Sequence, residues 1–165
     1  MPAADERLAR DRAHRIGPYC PSSVRLSNDE VGVSPVSESD RIVLAVPSMA
    51  EGGIQGTRCE HFGTCDTFTI VELEGGTMGD VKVVNNVPHA EDSCYPPVKM
   101  LVENGVTAVI VAAIGADTMK HLDEAGIAIY FDDQLPYVAQ AVGAVRSGNA
   151  KLIDPNASCS GCDAC

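Results

Sequence analysis

Three cysteines near the end of the sequence have a spacing typical of metal ligands. The segment SCSGCDAC places Cys159, Cys162 and Cys165 three residues apart, with no apolar neighbours that would bury sulfur in a core. CxxCxxC matches the first three cysteines of the bacterial ferredoxin run, whose thiolates turn onto one iron-sulfur cluster. Two cysteines two residues apart are also a common half of a zinc site, which takes four ligands. The spacing therefore predicts a metal or cluster site that needs a fourth ligand. Thiol redox or persulfide chemistry and incidental thiols are the alternatives.

A second group of metal-ligating residues lies in a glycine-rich stretch. The sequence RCEHFGTC places Cys59, His61 and Cys65 within seven residues. Thiolate and imidazole suit iron, copper or zinc, and the neighbouring glycines let backbone approach a bulky ligand. These three residues are predicted to contact a metal or cluster. In the alternative interpretation, Phe62 and Cys65 fill the end of the core and His61 is a hydrogen-bonded loop residue.

A third group follows further along, where VPHAEDSCYPP contains His89 and Cys94. If a β-hairpin brings its two ends together, this stretch and the first one lie at one rim of a sheet, where loops on a rigid scaffold often carry function. His89 and Cys94 are therefore secondary candidates for the same ligand. His121 has no cysteine near it and is interpreted as a surface residue or a cation at a helix C-terminus.

Composition excludes several classes of function. The chain has 165 residues and 45% hydrophobic content, enough for one domain with a proper core. Its 12 basic and 23 acidic residues give a net charge of -11, which repels a phosphate backbone, so no nucleic-acid partner is expected. No secretory signal and no stretch of ~18 apolar residues is present, which predicts a cytoplasmic protein without a membrane partner. In a reducing compartment, clustered thiols favour metal or redox chemistry over disulfides.

The first half of the chain predicts strands. Residues 1–40 have little apolar periodicity and are interpreted as a flexible N-terminal extension. RIVLAVP then has the length and composition of a buried strand, and Pro47 is predicted to end it. After the glycine-rich stretch, DTFTIVELE and MGDVKVVNN flank a GGT turn and predict a β-hairpin.

The second half alternates helices with strands. PPVKMLVENG, GADTMKHLDEAG and LPYVAQAVGAVRSG predict helices, and TAVIVAAIG and IAIYF predict the strands between them. A hairpin followed by this alternation predicts a mixed sheet with helices packed on it. The domain is placed at residues 41–150, followed by a cysteine-rich tail at residues 151–165.

Motifs of common enzymes are missing. The sequence has no GxSxG elbow, no P-loop and no HExxH zinc motif, so a nucleotide enzyme is not expected. Asp132 and Asp133 are paired carboxylates, but a pair that precedes a helix more often supplies an N-cap than an acid/base couple. We therefore predict a protein that is not an enzyme.

Residues 41 to about 150 resemble the dinitrogenase iron-molybdenum cofactor biosynthesis family, which includes NifX-type accessory proteins and domains like the C-terminal part of NifB. The resemblance rests on RIVLAVP, on EHFG at residues 60–63 before DTFTIVELE, on NVPHAE at residues 86–91, and on VTAVIVAAIGADTMKHLDEAGIAIY. It covers roughly two thirds of the chain and leaves out the first 40 residues and the tail.

The resemblance implies a fold, a ligand class and a site. The fold is a ribonuclease-H-like three-layer α/β architecture with a central mixed β-sheet flanked by helices. The ligand is an iron-sulfur or iron-molybdenum-sulfur cluster, and the histidine of HFG, His61, is the implied contact to it. Cluster-donor or cluster-acceptor proteins are the implied partners, among them Mrp-type iron-sulfur ATPases. Cys59, Cys65, Cys94 and the tail depart from the family pattern and add thiols.

Three functional hypotheses follow. The first is a non-catalytic metal-sulfur cluster carrier that acts in metallocluster assembly or delivery. The alternative is a zinc-stabilised or thiol-redox regulatory module that binds a protein partner. The third and least favoured is an enzyme with nucleophilic cysteines, because no cysteine has a clear base in sequence reach.

Overall fold

The alternating apolar segments form six strands and three helices. A computed structural model describes residues 40–87 and 95–154. The strands are β1 (Arg41–Ser48), β2 (Thr67–Glu74), β3 (Thr77–Asn85), β4 (Ala108–Val111), β5 (Ala128–Phe131) and β6 (Lys151–Leu152). The helices are α1 (Tyr95–Glu103), α2 (Ala116–Glu124) and α3 (Val138–Arg146). The predicted hairpin is β2 and β3, and the three predicted helices are present.

The strands form one mixed sheet in the order β3-β2-β1-β4-β5-β6. β1, β4 and β5 run parallel to one another, whereas β2, β3 and β6 pair antiparallel with their neighbours. The three parallel strands therefore end at the same edge of the sheet, which we call the carboxyl edge.

Helices cover both faces of the sheet. In β1, Val43 and Ala45 pack in a cluster with residues of α1 and α2, whereas Leu44 and Val46 pack with residues of α3. Strands that are buried on both faces have continuous apolar sequences, because neither face is exposed to water. This arrangement explains RIVLAV and confirms the predicted α/β class, with a mixed sheet between helices. The finer assignment to a ribonuclease-H-like fold stays a prediction.

The helices end where the sequence predicts. The N–H of Gly105 donates to Val102 O at 2.9 Å, and the N–H of Val106 donates to Leu101 O at 3.1 Å, which is the Schellman pattern. Gly105 has φ 72, a left-handed conformation that glycine adopts without a Cβ penalty. Gly126 and Gly148 follow α2 and α3 with the same two-bond pattern.

Pro47 does not end β1, contrary to the prediction. The strand continues to Ser48, and Pro47 and Ser48 pair with Phe68 and Thr67. The parallel ladder to β4 contains only Leu44 and Ala45, so the missing N–H of Pro47 interrupts no bond to β4. Its carbonyl accepts the N–H of Cys59 at 2.9 Å.

Several predicted features lie outside the described residues: the extension before residue 40, His89, Cys94, and the tail cysteines Cys159, Cys162 and Cys165. Within residues 40–87 and 95–154, none of the helices is long and apolar enough to cross a membrane.

Candidate functional site

The carboxyl edge carries the loop with the HFG motif. This site loop, residues 49–66, follows β1 and leads into β2. His61 forms a parallel bridge with Ala113, and the N–H of Ala113 donates to Glu60 O at 2.9 Å. The loop thus continues the sheet beside the end of β4. In open α/β sheets, the crevice outside the carboxyl ends of the strands is the usual place for a ligand.

The first part of the site loop is fixed to the segment that follows β5. The N–H of Arg58 donates to Pro136 O at 2.9 Å, and the N–H of Val138 donates to Gly56 O at 3.0 Å. A Cβ atom on Gly56 would lie 2.6 Å from Gly52 O, so only glycine fits this position without a backbone shift. The loop is therefore held by backbone pairing and close packing.

Arg58 adds a buried cation to this junction. Its side chain is only 4% exposed, and its guanidinium donates to Leu135 O at 2.9 Å and to Asp132 O at 3.1 Å. The Asp132 carboxylate lies 3.9 Å away and also accepts the N–H groups of Gln134 and Leu135. Burial lowers the pKa of Arg58, and Asp132 and Asp133 act in the opposite direction. Asp132 therefore supports a turn and a buried arginine. Neither Asp132 nor Asp133 is the N-cap expected from the sequence, because the N-cap of α3 is Tyr137.

A cavity of about 210 Å³ lies between the two joined segments. Residues 57–60 form one wall, residues 133–136 form the other, and Ala112 also lines it. Cys59 is partly exposed and is one of the wall residues. Because Arg58 ties the two walls together, it sets the width of the cavity.

His61 is available as a ligand. It is partly exposed, and its imidazole forms no hydrogen bond or ion pair to the described part of the chain. An imidazole without a protein partner keeps a nitrogen lone pair for a metal. The hydrogen-bonded role considered for His61 therefore does not apply within residues 40–87 and 95–154.

Phe62 and Cys65 anchor the same loop in the core. Phe62 is fully buried, and its ring lies 5.1 Å from that of Phe68 at an interplanar angle of 58°. The thiol of Cys65 is also buried and donates to Phe62 O at 3.2 Å. Burial raises the pKa of Cys65 to about 12, with a smaller contribution from Cys59. A neutral thiol is a poor metal ligand, so Cys65 in this position supports the loop.

Asn86 connects the two sequence motifs. Its side-chain amide donates to Gly63 O at 3.1 Å and to Cys65 O at 2.8 Å, and its N–H donates to Asp66 O at 2.9 Å. Asn86 is the first residue of NVPHAE, so the start of that motif lies against the HFG loop. Hydrogen bonds to two carbonyls fix the direction of the loop.

The described donors do not form a complete metal site. Among residues 40–87 and 95–154, no group of three or more His, Cys, Asp or Glu side chains could hold a metal ion. Of the predicted contacts within the described residues, Cys59 and His61 are partly exposed. The tail leaves the sheet elsewhere: β6 runs antiparallel to β5, and the N–H of Ile153 bonds to Ile129 O at 2.7 Å. The chain therefore leads away from the carboxyl edge at Asp154.

The two loop thiols are expected to differ in reactivity. In native protein at pH 8, iodoacetamide should modify Cys59 at least tenfold faster than Cys65, because Cys65 is buried and its pKa of about 12 leaves almost no thiolate. Both thiols lie in one tryptic peptide, residues 59–82, so fragmentation in the mass spectrometer must assign the site. Labelling in denaturant should make the two rates equal. Equal rates in native protein would contradict the buried position of Cys65.

Comparison with known sequences decides the family. The sequence model of the dinitrogenase iron-molybdenum cofactor family matches residues 43–148, more than half of the chain. The chain belongs to this family. Membership associates it with the biosynthesis or binding of the iron-molybdenum cofactor, and so with metal-sulfur clusters. The recognition made from HFG and NVPHAE is confirmed.

A curated relative extends the comparison. An uncharacterised protein of Methanocaldococcus jannaschii is 30% identical over 74 residues, which are 42% of this chain and 61% of the relative. The chain thus spans about three fifths of the length of that relative.

Solved structures share the fold. The apo form of the orange protein of Desulfovibrio gigas has a TM-score of 0.57 at 23% identity, with 69% of this chain and 94% of that chain covered. A Thermotoga protein described as a candidate NifB protein of the DUF35 family has a TM-score of 0.56 at 23% identity, covering 67% and 92%. A candidate dinitrogenase of Methanocaldococcus jannaschii has a TM-score of 0.56 at 20% identity, covering 70% and 97%. At these identities, the likeness concerns the fold alone.

Two residues of the site were missed by sequence reasoning. Arg58 and Asn86 contact the loop from positions that carry no motif for such a role. A basic residue directly before a predicted ligand, and an asparagine at the end of a predicted hairpin, were the signals available. Neither signal identifies its partner, because the partners are backbone carbonyls of distant segments.

Proposed function

We propose that this protein is a non-catalytic carrier of a metal-sulfur cluster, acting in metallocluster assembly or delivery. The cargo is the iron-molybdenum cofactor, its precursor, or a related iron-sulfur cluster. The observation that carries the proposal is the imidazole of His61 at the carboxyl edge, which has no partner in the described part of the chain. It lies on a loop anchored by Phe62 and Asn86, in a chain of this family.

The donor set favours transfer over permanent binding. His61 and Cys59 supply soft and borderline ligands, which suit iron and other metals of such clusters. Cys65 is also a predicted contact, but its neutral thiol is better suited to holding the loop. We assign the remaining ligands to His89, Cys94 and the tail cysteines Cys159, Cys162 and Cys165. An incomplete ligand set leaves positions at which an acceptor thiolate can enter.

The tail cysteines are proposed as a separate ligand set beyond the domain at residues 41–150, whose sheet also includes β6 (Lys151–Leu152). Asp154 lies on the side of β5 away from the site loop, so the tail must turn back to meet His61. At about 3.4 Å per residue, residues 155–165 span roughly 37 Å when extended, enough to reach the carboxyl edge. The tail cysteines are therefore long-range partners for His61 in one shared site, or ligands of a second site of their own.

The protein partners are cluster donors or acceptors, including an Mrp-type iron-sulfur ATPase, and the location is cytoplasmic. We propose the ribonuclease-H-like architecture for the fold, without nuclease chemistry, because β1 carries no carboxylate on its buried part to hold metal ions.

Metal and sulfide analysis tests the carrier function. Full-length protein is purified anaerobically, reconstituted with iron and sulfide, desalted and examined by absorbance. Wild type should retain iron and sulfide together with a visible charge-transfer band. His61→Ala should lose more than half of the cluster bound at the loop, and the variant with Cys159, Cys162 and Cys165 changed to Ser should lose the cluster bound at the tail.

Control variants separate ligand loss from misfolding. His121→Ala removes a histidine of α2 that lies far from the loop in sequence and contacts Glu124, and it should retain the wild-type content. The combined variant, with His61 and the three tail cysteines changed, counts the sites. If its loss of iron and sulfide equals the sum of the two separate losses, there are two sites. If it equals the loss in either variant alone, there is one. Zinc without iron or sulfide, or no bound metal at all, would overturn the carrier and leave a thiol or zinc module.

A further inference from the structure

One edge of the sheet is long and unpaired. β3 lies at the end of the strand order, and in the part of the chain that the structure describes no strand pairs with its outer side. Eight of its nine residues are exposed. The opposite edge strand, β6, has only two residues and offers little backbone. An exposed edge strand presents unpaired N–H and C=O groups, to which another strand can add.

An apolar row runs along this edge. Val81 pairs with Val71 of β2, and Met78 pairs with Leu73. Directly opposed residues of two strands lie on one face, and both β2 residues belong to the core cluster formed with α3. Val83 lies on the same face, two residues after Val81. Met78, Val81 and Val83 are nevertheless 41%, 40% and 43% exposed, so α3 leaves this row uncovered.

The charges of β3 are complementary to themselves. The strand has two charged residues, Asp80 and Lys82, one on each side of Val81. If two copies are related by a twofold axis at Val81, their strands run antiparallel, and Asp80 of each copy lies opposite Lys82 of the other. Opposite charges in opposed positions stabilise a strand pair, and like charges destabilise it. Lys82 Nζ already donates to Asn104 Oδ1 at 2.6 Å, which leaves two of its protons for a carboxylate.

A β-bulge brings the apolar row into the same register. Between the pairs that β2 makes through Val71 and Leu73, β3 contains one residue more than β2. Residues three apart in a regular strand lie on opposite faces, but this extra residue returns Met78 to the face of Val81. In the symmetric pair, Met78 therefore lies beside Val83 of the other copy. The two apolar rows then form one continuous strip across the twofold axis.

We propose that this protein forms a symmetric dimer in which β3 pairs antiparallel with β3 of a second copy of the chain. The two Asp80–Lys82 pairs and the joined apolar rows favour this register over others. This interface is independent of the proposed cluster site. β3 runs parallel to β1, so antiparallel copies of β3 place the two carboxyl edges at opposite ends of the joined sheet, and both site loops stay open.

The dimer is expected to be weak. One pair of strands buries a small area, and each copy has a net charge of -11, which repels the other copy. We expect a Kd of roughly 10–100 µM at about 0.15 M salt, where a Debye length of about 8 Å screens distant charges more than charges in contact.

Sedimentation velocity tests the association with full-length wild type from about 1 to about 300 µM. A reducing agent and a chelator prevent the cysteines from linking copies through disulfides or metal. The average mass should rise with concentration from the chain mass of 17.3 kDa towards twice that value. Amide hydrogen exchange in residues 77–85 should become slower as the dimer forms, because the edge amides gain acceptors.

Charge exchange tests the register. Asp80→Lys and Lys82→Asp each place like charges opposite one another, so each variant alone should dimerise about tenfold more weakly or worse. An equimolar mixture of the two should form a heterodimer with near wild-type affinity, because every opposed pair is again of opposite charge. Lys120→Asp makes the same change of charge on α2, beside Glu124, and should dimerise as wild type.

The twofold axis is tested at Val81. Val81→Lys places two ammonium groups opposite each other and should weaken the dimer at least tenfold. Val102→Lys is the matched control, because Val102 is a similarly exposed valine on α1 and should leave the dimer unchanged. Circular dichroism should show the wild-type fold in both variants, since both positions are at the surface.

The possible outcomes either support or overturn this interface. A mass of one chain at every concentration would overturn it. Slow exchange in residues 77–85 that does not depend on concentration would also overturn it, because another segment of the same chain, such as residues 1–39, would then cover β3. A dimer that Asp80→Lys, Lys82→Asp and Val81→Lys all leave unchanged would use a different surface. Variants that lose the dimer should retain the wild-type content of iron and sulfide, so the interface and the carrier function fail separately.

Discussion

Replacing Phe62 by alanine is expected to lower the free energy of unfolding by about 3–5 kcal/mol. Phe62 is fully buried, packs in a tilted pair with Phe68, and belongs to the core cluster shared with α1 and α2. Truncation removes both the ring contacts and the volume that fills the end of this core. Equilibrium unfolding in urea, followed by circular dichroism, measures the difference.

Two further variants are controls for the loss of stability in Phe62→Ala. Val102→Ala changes an exposed position of α1 and should alter stability by less than about 0.5 kcal/mol. Phe62→Leu keeps an apolar side chain and should cost less than the alanine variant. If Phe62→Ala cost less than 1 kcal/mol, the ring would not be the anchor of the site loop, and the fixed position of His61 would need another cause.

Replacing Arg58 by methionine is expected to lower the free energy of unfolding by about 2–4 kcal/mol. The substitution leaves the carbonyls of Leu135 and Asp132 without their donor and removes the cation beside the Asp132 carboxylate. Methionine fills similar volume, so the loss reports polar contacts more than a cavity. Because Arg58 joins the walls of the cavity, alkylation of Cys59 should also accelerate, as the loop loses its attachment.

Arg41→Met is the matched control. Arg41 donates to Glu72 at 3.0 Å, but this ion pair is at the surface, with side-chain exposures of 62% and 38%. Exposed pairs contribute about 0–1 kcal/mol, so this variant should stay close to wild type. Arg58→Lys keeps the charge but lacks the fork that reaches two carbonyls, and we expect an intermediate loss. Equal small losses for Arg41→Met and Arg58→Met would contradict the buried role of Arg58.

Hydrophobic periodicity made most of the fold predictable. The hairpin, the three helices and the β4 and β5 strands follow from alternation, helical spacing and helix-ending glycines, which are local properties of the chain. The wrong boundary at Pro47, in contrast, has a cause that is not local. A proline ends a strand only where its N–H is needed, and the pairing partner that decides this is far away in sequence.

The site was predictable only in its residue types. His61 and Cys59 were predicted as contacts, and they are partly exposed on the loop. Cys65 has the same predicted role as Cys59, because both lie close to His61 in the sequence. In the structure, however, Cys65 is buried and its pKa is raised. Burial depends on which segments pack over a residue, and that information is spread over the whole chain.

The sequence by itself determined the elements, the family and the donor types, because periodicity, motifs and side-chain chemistry are written in neighbouring residues. Only the tertiary structure decided that Asn86 holds the HFG loop, that Arg58 joins it to the segment after β5, and that Ala113, shortly before α2, pairs with His61. These contacts join residues that are 20 to 80 positions apart, and at least one side of each contact is a backbone atom. Backbone atoms are the same at every residue, so no motif records which of them a folded chain brings together.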